Sequence, residues 1–135
     1  MFYNNSVLLQ LRDNNKNITA PNVWAYLGGG VEQGETYKQA AIREFFEECE
    51  YKIDPKKLYK FVGGKMIFEN NMSYSVVYIT KYNGKSAIKC NEGQKIEFIN
   101  LNDFKKIENT LPLVKFVVTE GYKVFKALDA KGKFN

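Results

Sequence analysis

Val7 to Leu11 form a short apolar run, closed by Arg12 and preceded by Asn4-Asn5-Ser6, a pattern that predicts a turn followed by a strand. Asp13 to Ala20 is polar and rich in Asn, which predicts a loop, and Pro21 then introduces a second strand over Val23 to Leu27. Gly28-Gly29-Gly30 breaks whatever precedes it. Thr36 is placed to cap a helix running through Glu50, because apolar residues recur at Ile42, Phe45, Phe46 and Cys49 with the spacing of one buried stripe. Further strands are predicted at Leu58 to Val62, Met72 to Lys81 and Ile96 to Ile99, separated by turns at Gly63-Gly64, Asn83-Gly84 and Asn91 to Gly93. Asp103 to Ile107 reads as a brief helical turn. After Pro112 a helical period runs to Leu128, with Val114, Val117, Val118, Tyr122, Phe125 and Leu128 on one stripe and Lys115, Lys123 and Lys126 off it. The tail, Lys131 to Asn135, is expected to fray. No repeat or linker divides the chain, which reads as a single α/β domain over residues 1–135.

Composition narrows the partners. With 44% apolar and 15% aromatic residues the chain is too hydrophobic for a disordered segment. It nowhere reaches the run of about eighteen apolar residues that a membrane helix needs, so no membrane partner is expected. The absence of histidine excludes Ser-His-Asp and Cys-His mechanisms and His-ligated zinc, leaving oxygen as the expected ligand of any metal. Cys49 and Cys90 are too few for a disulfide framework or a four-thiolate zinc site, and the start MFYNNSVLLQLR lacks the charged-then-apolar order of a signal peptide. Reducing cytoplasm is the expected compartment.

The net charge of +5 hides an asymmetry. Residues 32 to 50 hold Glu32, Glu35, Glu44, Glu47, Glu48 and Glu50 against Lys38 and Arg43, a balance of −4, so the remainder carries +9. The excess is mostly scattered lysine, eighteen against two arginines, without a helix-turn-helix or ribonucleoprotein motif, which makes a specific nucleic-acid partner a weak reading.

The segment Gly29 to Tyr51, GGVEQGETYKQAAIREFFEECEY, carries the chemistry. On a helix turning about 100° per residue, Glu44, Glu47 and Glu48 fall on one face, with Ile42, Phe45, Phe46 and Cys49 roughly opposite. Like charges at this spacing cost about 0.2–0.5 kcal/mol per pair in an isolated helix. A helix that places them so leaves them in water or offers them to a cation, and a hard divalent ion prefers such oxygens together with substrate phosphates. The glycines let backbone approach a ligand closely.

This spacing resembles the Nudix box of the Nudix (MutT-like) hydrolases, G-x5-E-x7-R-E-U-x-E-E-x-G-U with U bulky and apolar. Gly29, Glu35, Arg43, Glu44, Phe45, Glu47, Glu48 and Tyr51 match in register. Glu50 stands where the family has the glycine that ends the helix, and Leu27 where many relatives have proline. The likeness continues through Val7 to Arg12, Trp24 to Leu27 and the acidic loop Asn91-Glu92-Gly93-Gln94 followed by Glu97, Phe98 and Leu101.

The resemblance implies a Nudix fold, a mixed β-sheet sandwiched between helices with the box as loop-helix-loop. It implies a metal-dependent hydrolase of a nucleoside diphosphate linked to another group, using Mg2+ or Mn2+. By the same resemblance Glu44, Glu47, Glu48 and Glu92 would hold metal, Glu44 or Glu92 would serve as base, and Arg43 would orient carboxylates such as Glu35. Arg12, Gly29, Gly30 and Trp24 are the substrate-binding candidates. Arg12 has the alternative of closing a strand end, and Glu92 that of an exposed turn residue. Trp24, Tyr26, Phe68 and Tyr74 are available to stack on a base, although core packing is the commoner use of aromatics. Proline or tyrosine markers of the ADP-ribose and dinucleoside polyphosphate subfamilies are absent at Lys65 to Phe68, and the short chain with its MutT-like acidic loop points by analogy to a nucleoside triphosphate. A catalytically weak nucleotide-binding or regulatory module is the alternative, favoured slightly by Glu50. At the amino end only Met1, Phe2 and Tyr3 remain for the strand that Nudix domains place first. Three explanations stand open: an edge strand nearly absent and left exposed, a homodimer partner completing it, or a chain that begins upstream.

Overall fold

A computed structural model describes residues 1–68 and 70–135 of the chain, and for Phe68 the backbone alone. The elements are β1 (Phe2–Tyr3), β2 (Ser6–Leu11), β3 (Trp24–Ala25), α1 (Tyr37–Cys49), β4 (Tyr59–Phe68), β5 (Asn71–Ile79), β6 (Lys95–Asn100), α2 (Leu101–Phe104) and α3 (Pro112–Ala130), with a 3₁₀ turn at Pro55–Lys57.

β2 is the central strand. One edge pairs antiparallel with β6 from Ser6 opposite Asn100 to Leu11 opposite Lys95, and the other is shared by β1 and β3. Both faces of β2 are covered, which is why its sequence is apolar at successive positions rather than alternating. Val7 and Leu9 join a cluster with Phe2, Ile79, Val114, Val118 and Phe125, while Leu8 points the other way into Phe45, Cys49, Tyr51 and Leu58. α3 thus covers one face and α1 the other, the layered α/β arrangement that the resemblance implies.

β4 and β5 form a second, antiparallel sheet. Phe2 joins the two sheets: it forms a parallel bridge with Lys81, its N–H donates to the Thr80 carbonyl at 3.0 Å, and its carbonyl accepts the Tyr82 N–H at 2.9 Å. A second parallel bridge, Trp24 with Thr110, completes the mixed character.

Five expectations are corrected. The amino-terminal strand is short but not exposed, since β1 is paired on both sides and Phe2 is only 4% accessible, so the proposed open edge, and with it the case for a partner completing the strand, falls away. Gly63 and Gly64 lie inside β4 and make no turn; a Cβ on Gly63 would press on Lys60, Tyr74 and Val76 at 3.2–3.3 Å, so close packing explains the glycine there. The strand expected over Val23 to Leu27 is only Trp24–Ala25, because β2 offers it just Gln10 and Leu11 as partners. Phe46, placed on the buried stripe, is exposed and lies under the Lys52 ammonium at 5.9 Å. The tail does not fray: Phe134 is buried with its ring 5.4 Å from both Tyr59 and Phe125, and the Tyr59 hydroxyl donates to the Lys133 carbonyl at 2.9 Å. No described helix is long and apolar enough to cross a membrane.

Candidate active site

Thr36 starts α1 with a capping box, its Oγ1 accepting the Gln39 N–H at 3.1 Å while the Gln39 side chain accepts the Thr36 N–H at 2.8 Å. The glycine loop ahead of it is fastened to the carboxylate face of the same helix. Gly28 N–H donates to Glu48 Oε2 at 2.9 Å, and the Gly30 carbonyl accepts from Arg43 Nη2 at 2.9 Å. Between them, a Cβ on Gly29 would come within 2.6 Å of Glu44 Oε1, so the glycine is what leaves room for that carboxylate.

Arg43 organises the acids. Its Nε and Nη2 grip Glu35 at 3.0 and 2.6 Å, and Nη1 reaches Glu44 at 2.8 Å and Glu47 at 3.2 Å. The two-pronged hydrogen bond from Arg43, with help from the Glu32 N–H, holds the Glu35 carboxyl down at about 2, and the same bonds push the guanidinium further up. Arg43 therefore faces carboxylates.

Glu48 differs from its neighbours on α1. Its side chain is only 3% exposed, and burial first, then the nearby charges of Glu92 and Glu44, push its carboxyl up to about 8 against the opposing Gly28 N–H and the Arg12 charge. A buried carboxylate with two acidic neighbours is relieved by a cation, and an all-oxygen donor set suits magnesium or manganese. The donor chemistry of Glu44, Glu47, Glu48 and Glu92 fits such an ion. Among the described residues no three acidic, Cys or His side chains are drawn together as a ligand cluster, because Glu44 and Glu47 turn to Arg43 and Glu48 to Gly28.

The loop carrying Glu92 is built onto the end of α1, whose last carbonyls lack helical partners. Lys89 N–H donates to the Cys49 carbonyl at 3.0 Å, Asn91 N–H to that of Glu48 at 2.9 Å, and Asn91 Nδ2 to that of Glu47 at 3.1 Å. On its other side, the Glu92 carbonyl accepts from Nε2 of the buried Gln10 at 3.0 Å, and Gln94 reaches back to the Leu11 and Arg12 carbonyls, each at 2.8 Å. Glu92 is exposed but its backbone is held from both directions. Sequence reasoning placed Asn91 and Gln94 in the acidic loop without a role for either, and missed Gln10 and Lys89. The available signal was Gln10, a polar residue inside an apolar run.

Two substrate candidates are engaged by other contacts, although the Arg12 charge still reaches Glu48. The Arg12 guanidinium donates to the carbonyls of Thr19 at 2.9 Å and Ala20 at 3.1 Å, closing the loop after β2, which is its strand-end role. Trp24 is buried in the α3-side core with Lys95 over its ring at 5.4 Å, so packing occupies it. Gly29 and Gly30 instead line a cleft of about 530 Å³ together with Tyr26, Tyr37 and Tyr74. Tyr37 was not anticipated; it and Tyr74 are exposed, with ring centroids 5.6 Å apart. The Phe68 side chain lies outside the described residues.

Comparison with known proteins identifies the family and the fold. The family model of the NUDIX domain matches residues 1–117. No curated protein sequence matches. Among solved structures, a MutT NUDIX hydrolase from Burkholderia pseudomallei superposes with TM-score 0.73 at 14% identity, covering 88% of this chain and 90% of that one. A C. elegans Ap4A hydrolase gives TM-score 0.69 at 20% identity over 90% and 86% of the two chains. A MutT/nudix family protein from Enterococcus faecalis gives 0.61 at 21% identity over 70% of this chain, which spans only 36% of that longer protein. With the box residues in register, the glycine loop seated on their carboxylates and the family model matched along most of its length, this chain belongs to the Nudix family of hydrolases.

Proposed function

We propose that this Nudix pyrophosphohydrolase acts on a nucleoside triphosphate, with Glu44, Glu47, Glu48 and Glu92 holding Mg2+ or Mn2+. The observation that carries the reading is Glu48: a carboxylate buried at a glycine loop, beside Glu44 and Glu92. When bound, the ion supplies charge neutralisation for the pyrophosphate and acidifies the attacking water. Glu44 or Glu92 would accept the proton of the attacking water as its oxygen bonds to phosphorus and the anhydride oxygen leaves. Arg43 sets the direction of Glu44 and Glu47, while Gly29 and Gly30 leave the cleft wall low enough for a phosphate to approach backbone. Tyr37 and Tyr74, exposed on the same cleft, offer faces to a planar base. The basic remainder of the chain favours approach of a polyanion, and a reducing cytoplasm is the compartment we propose.

Purified protein with magnesium is to be screened against nucleoside triphosphates, diadenosine tetraphosphate, ADP-ribose and nucleotide sugars, alongside Glu47→Gln and Glu48→Gln. Triphosphate turnover that each substitution lowers by about 10–100-fold or more is expected. Preference for diadenosine tetraphosphate, the substrate in the name of the C. elegans relative, would replace the triphosphate. Turnover indifferent to both substitutions would sink the site. Metal-dependent nucleotide binding without turnover would favour the regulatory module.

A further inference from the structure

The residue that departs from the family pattern has a partner set of its own. Glu50 ends α1 in the left-handed region at φ 56°, ψ 15°, the conformation for which a glycine is suited. Its carboxylate is turned onto the acidic loop: Oε2 accepts from Lys89 Nζ at 2.8 Å and Oε1 from Asn91 Nδ2 at 3.2 Å. The same Asn91 amide also donates to the Glu47 carbonyl, and the Lys89 and Asn91 N–H groups bond the carbonyls of Cys49 and Glu48. Glu92 is the next residue in the chain. A glycine at position 50 would relax the backbone and leave these two side chains without that acceptor.

We propose that Glu50 is a positioning residue, which through Lys89 and Asn91 clamps the 89–92 loop to the end of α1 and so sets the place of Glu92. The inference rests on the reading of Glu92 as part of the active site. The clamp acts at a distance from substrate, on the geometry of a loop whose other side is already tied to Gln10. Outer contacts of this type orient the groups that do touch metal or substrate.

The test compares Glu50→Ala, which keeps a Cβ and hence the backbone strain, with Glu50→Gly, which relieves it, and with Glu50→Gln, which keeps an acceptor for Asn91. Three readouts are taken on the full chain: amide hydrogen exchange of residues 89–94, affinity for Mn2+ alone by electron paramagnetic resonance, and kcat in the wild-type and Glu92→Gln backgrounds. Faster exchange in this loop for both Ala and Gly, with thermal stability of Gly at or above that of Ala, is expected. Mn2+ affinity and kcat should fall about tenfold, rescued in part by Gln. The kcat loss should vanish in the Glu92→Gln background, because Glu50 works through Glu92. Unchanged exchange at 89–94 in Glu50→Ala, or an undiminished kcat loss in the Glu92→Gln background, would overturn the clamp. A wild-type protein without turnover would refute the hydrolase reading, while the exchange and Mn2+ measurements would still decide the clamp.

Discussion

Arg43 closes on Glu35 with two donors, Nη2 at 2.6 Å and Nε at 3.0 Å, and so binds the loop ahead of α1 to the helix's middle turn. The pair leaves Nη1 free to face Glu44 and Glu47, which makes one guanidinium the shared reference for three carboxylates. Lysine carries the charge without the planar fork. Arg43→Lys is therefore expected to lower kcat about 10–100-fold with a small change in melting temperature, and steady-state kinetics beside a thermal melt check it. Equal kcat in the two proteins would mean that charge alone suffices.

Gly29→Ala isolates the Glu44 carboxylate. The backbone of Gly29 is outside the left-handed region, so alanine meets no conformational barrier, but its Cβ would lie 2.6 Å from Glu44 Oε1. Displacement of a flexible side-chain end is cheap, and folding stability should change by no more than about 0.5 kcal/mol. A carboxylate moved by about an ångström should cost activity up to about 100-fold. Urea unfolding and kcat measured together test this; lost stability with intact turnover is the contrary result.

The acids titrate in opposite senses. In metal-free protein Glu48, raised from 4.5 to about 8, keeps a proton on folding that the unfolded chain releases. Its stabilising contribution is complete below the unfolded value and is lost as pH rises through the folded one. In chelator, the melting temperature should thus fall between about pH 4.5 and pH 8, and Glu48→Gln, neutral throughout, should flatten that slope. Glu35, lowered from 4.5 to about 2, contributes above 4.5 and loses its contribution as pH falls toward 2, so Glu35→Gln should remove part of the acid limb.

Phe134→Ala tests the tail. The ring is 6% exposed and packs on Tyr59 and Phe125, so truncation should cost about 3 kcal/mol in urea unfolding. Mn2+ affinity of the folded variant should not change, since the tail and the carboxylates belong to opposite sides of β2. A cost near zero would return the tail to the frayed reading.

The candidate site on α1 was legible in the sequence because it is local. Arg43, Glu44, Glu47 and Glu48 sit within two helical turns, and helical geometry alone puts them near one another whatever surrounds the helix. The apolar period of α3 and the apolar run Val7 to Leu9 of β2 were legible for a similar reason, since each reports the burial of its own element. What could not be read were the choices made by distant segments. Whether Phe46 or Glu48 is buried depends on how α1 is rotated against the sheet, which the helical wheel leaves open; packing exposed the phenylalanine and enclosed the carboxylate.

The same holds for the ends and the loops. Two residues of β1 suffice as a strand because Val7 and Lys81 flank them, and a glycine pair stays inside β4 because β5 runs opposite it. The position of Glu92 depends on Gln10 and on the end of α1, residues remote from it in the chain. The sequence by itself determined the family and the helix that bears the acids, because covalent spacing and a fixed helical pitch are enough for that. Tertiary structure alone decided which carboxylate is dehydrated, which side chains Arg43 holds and how the Glu92 loop is anchored, because burial and hydrogen bonding depend on what the rest of the chain brings alongside.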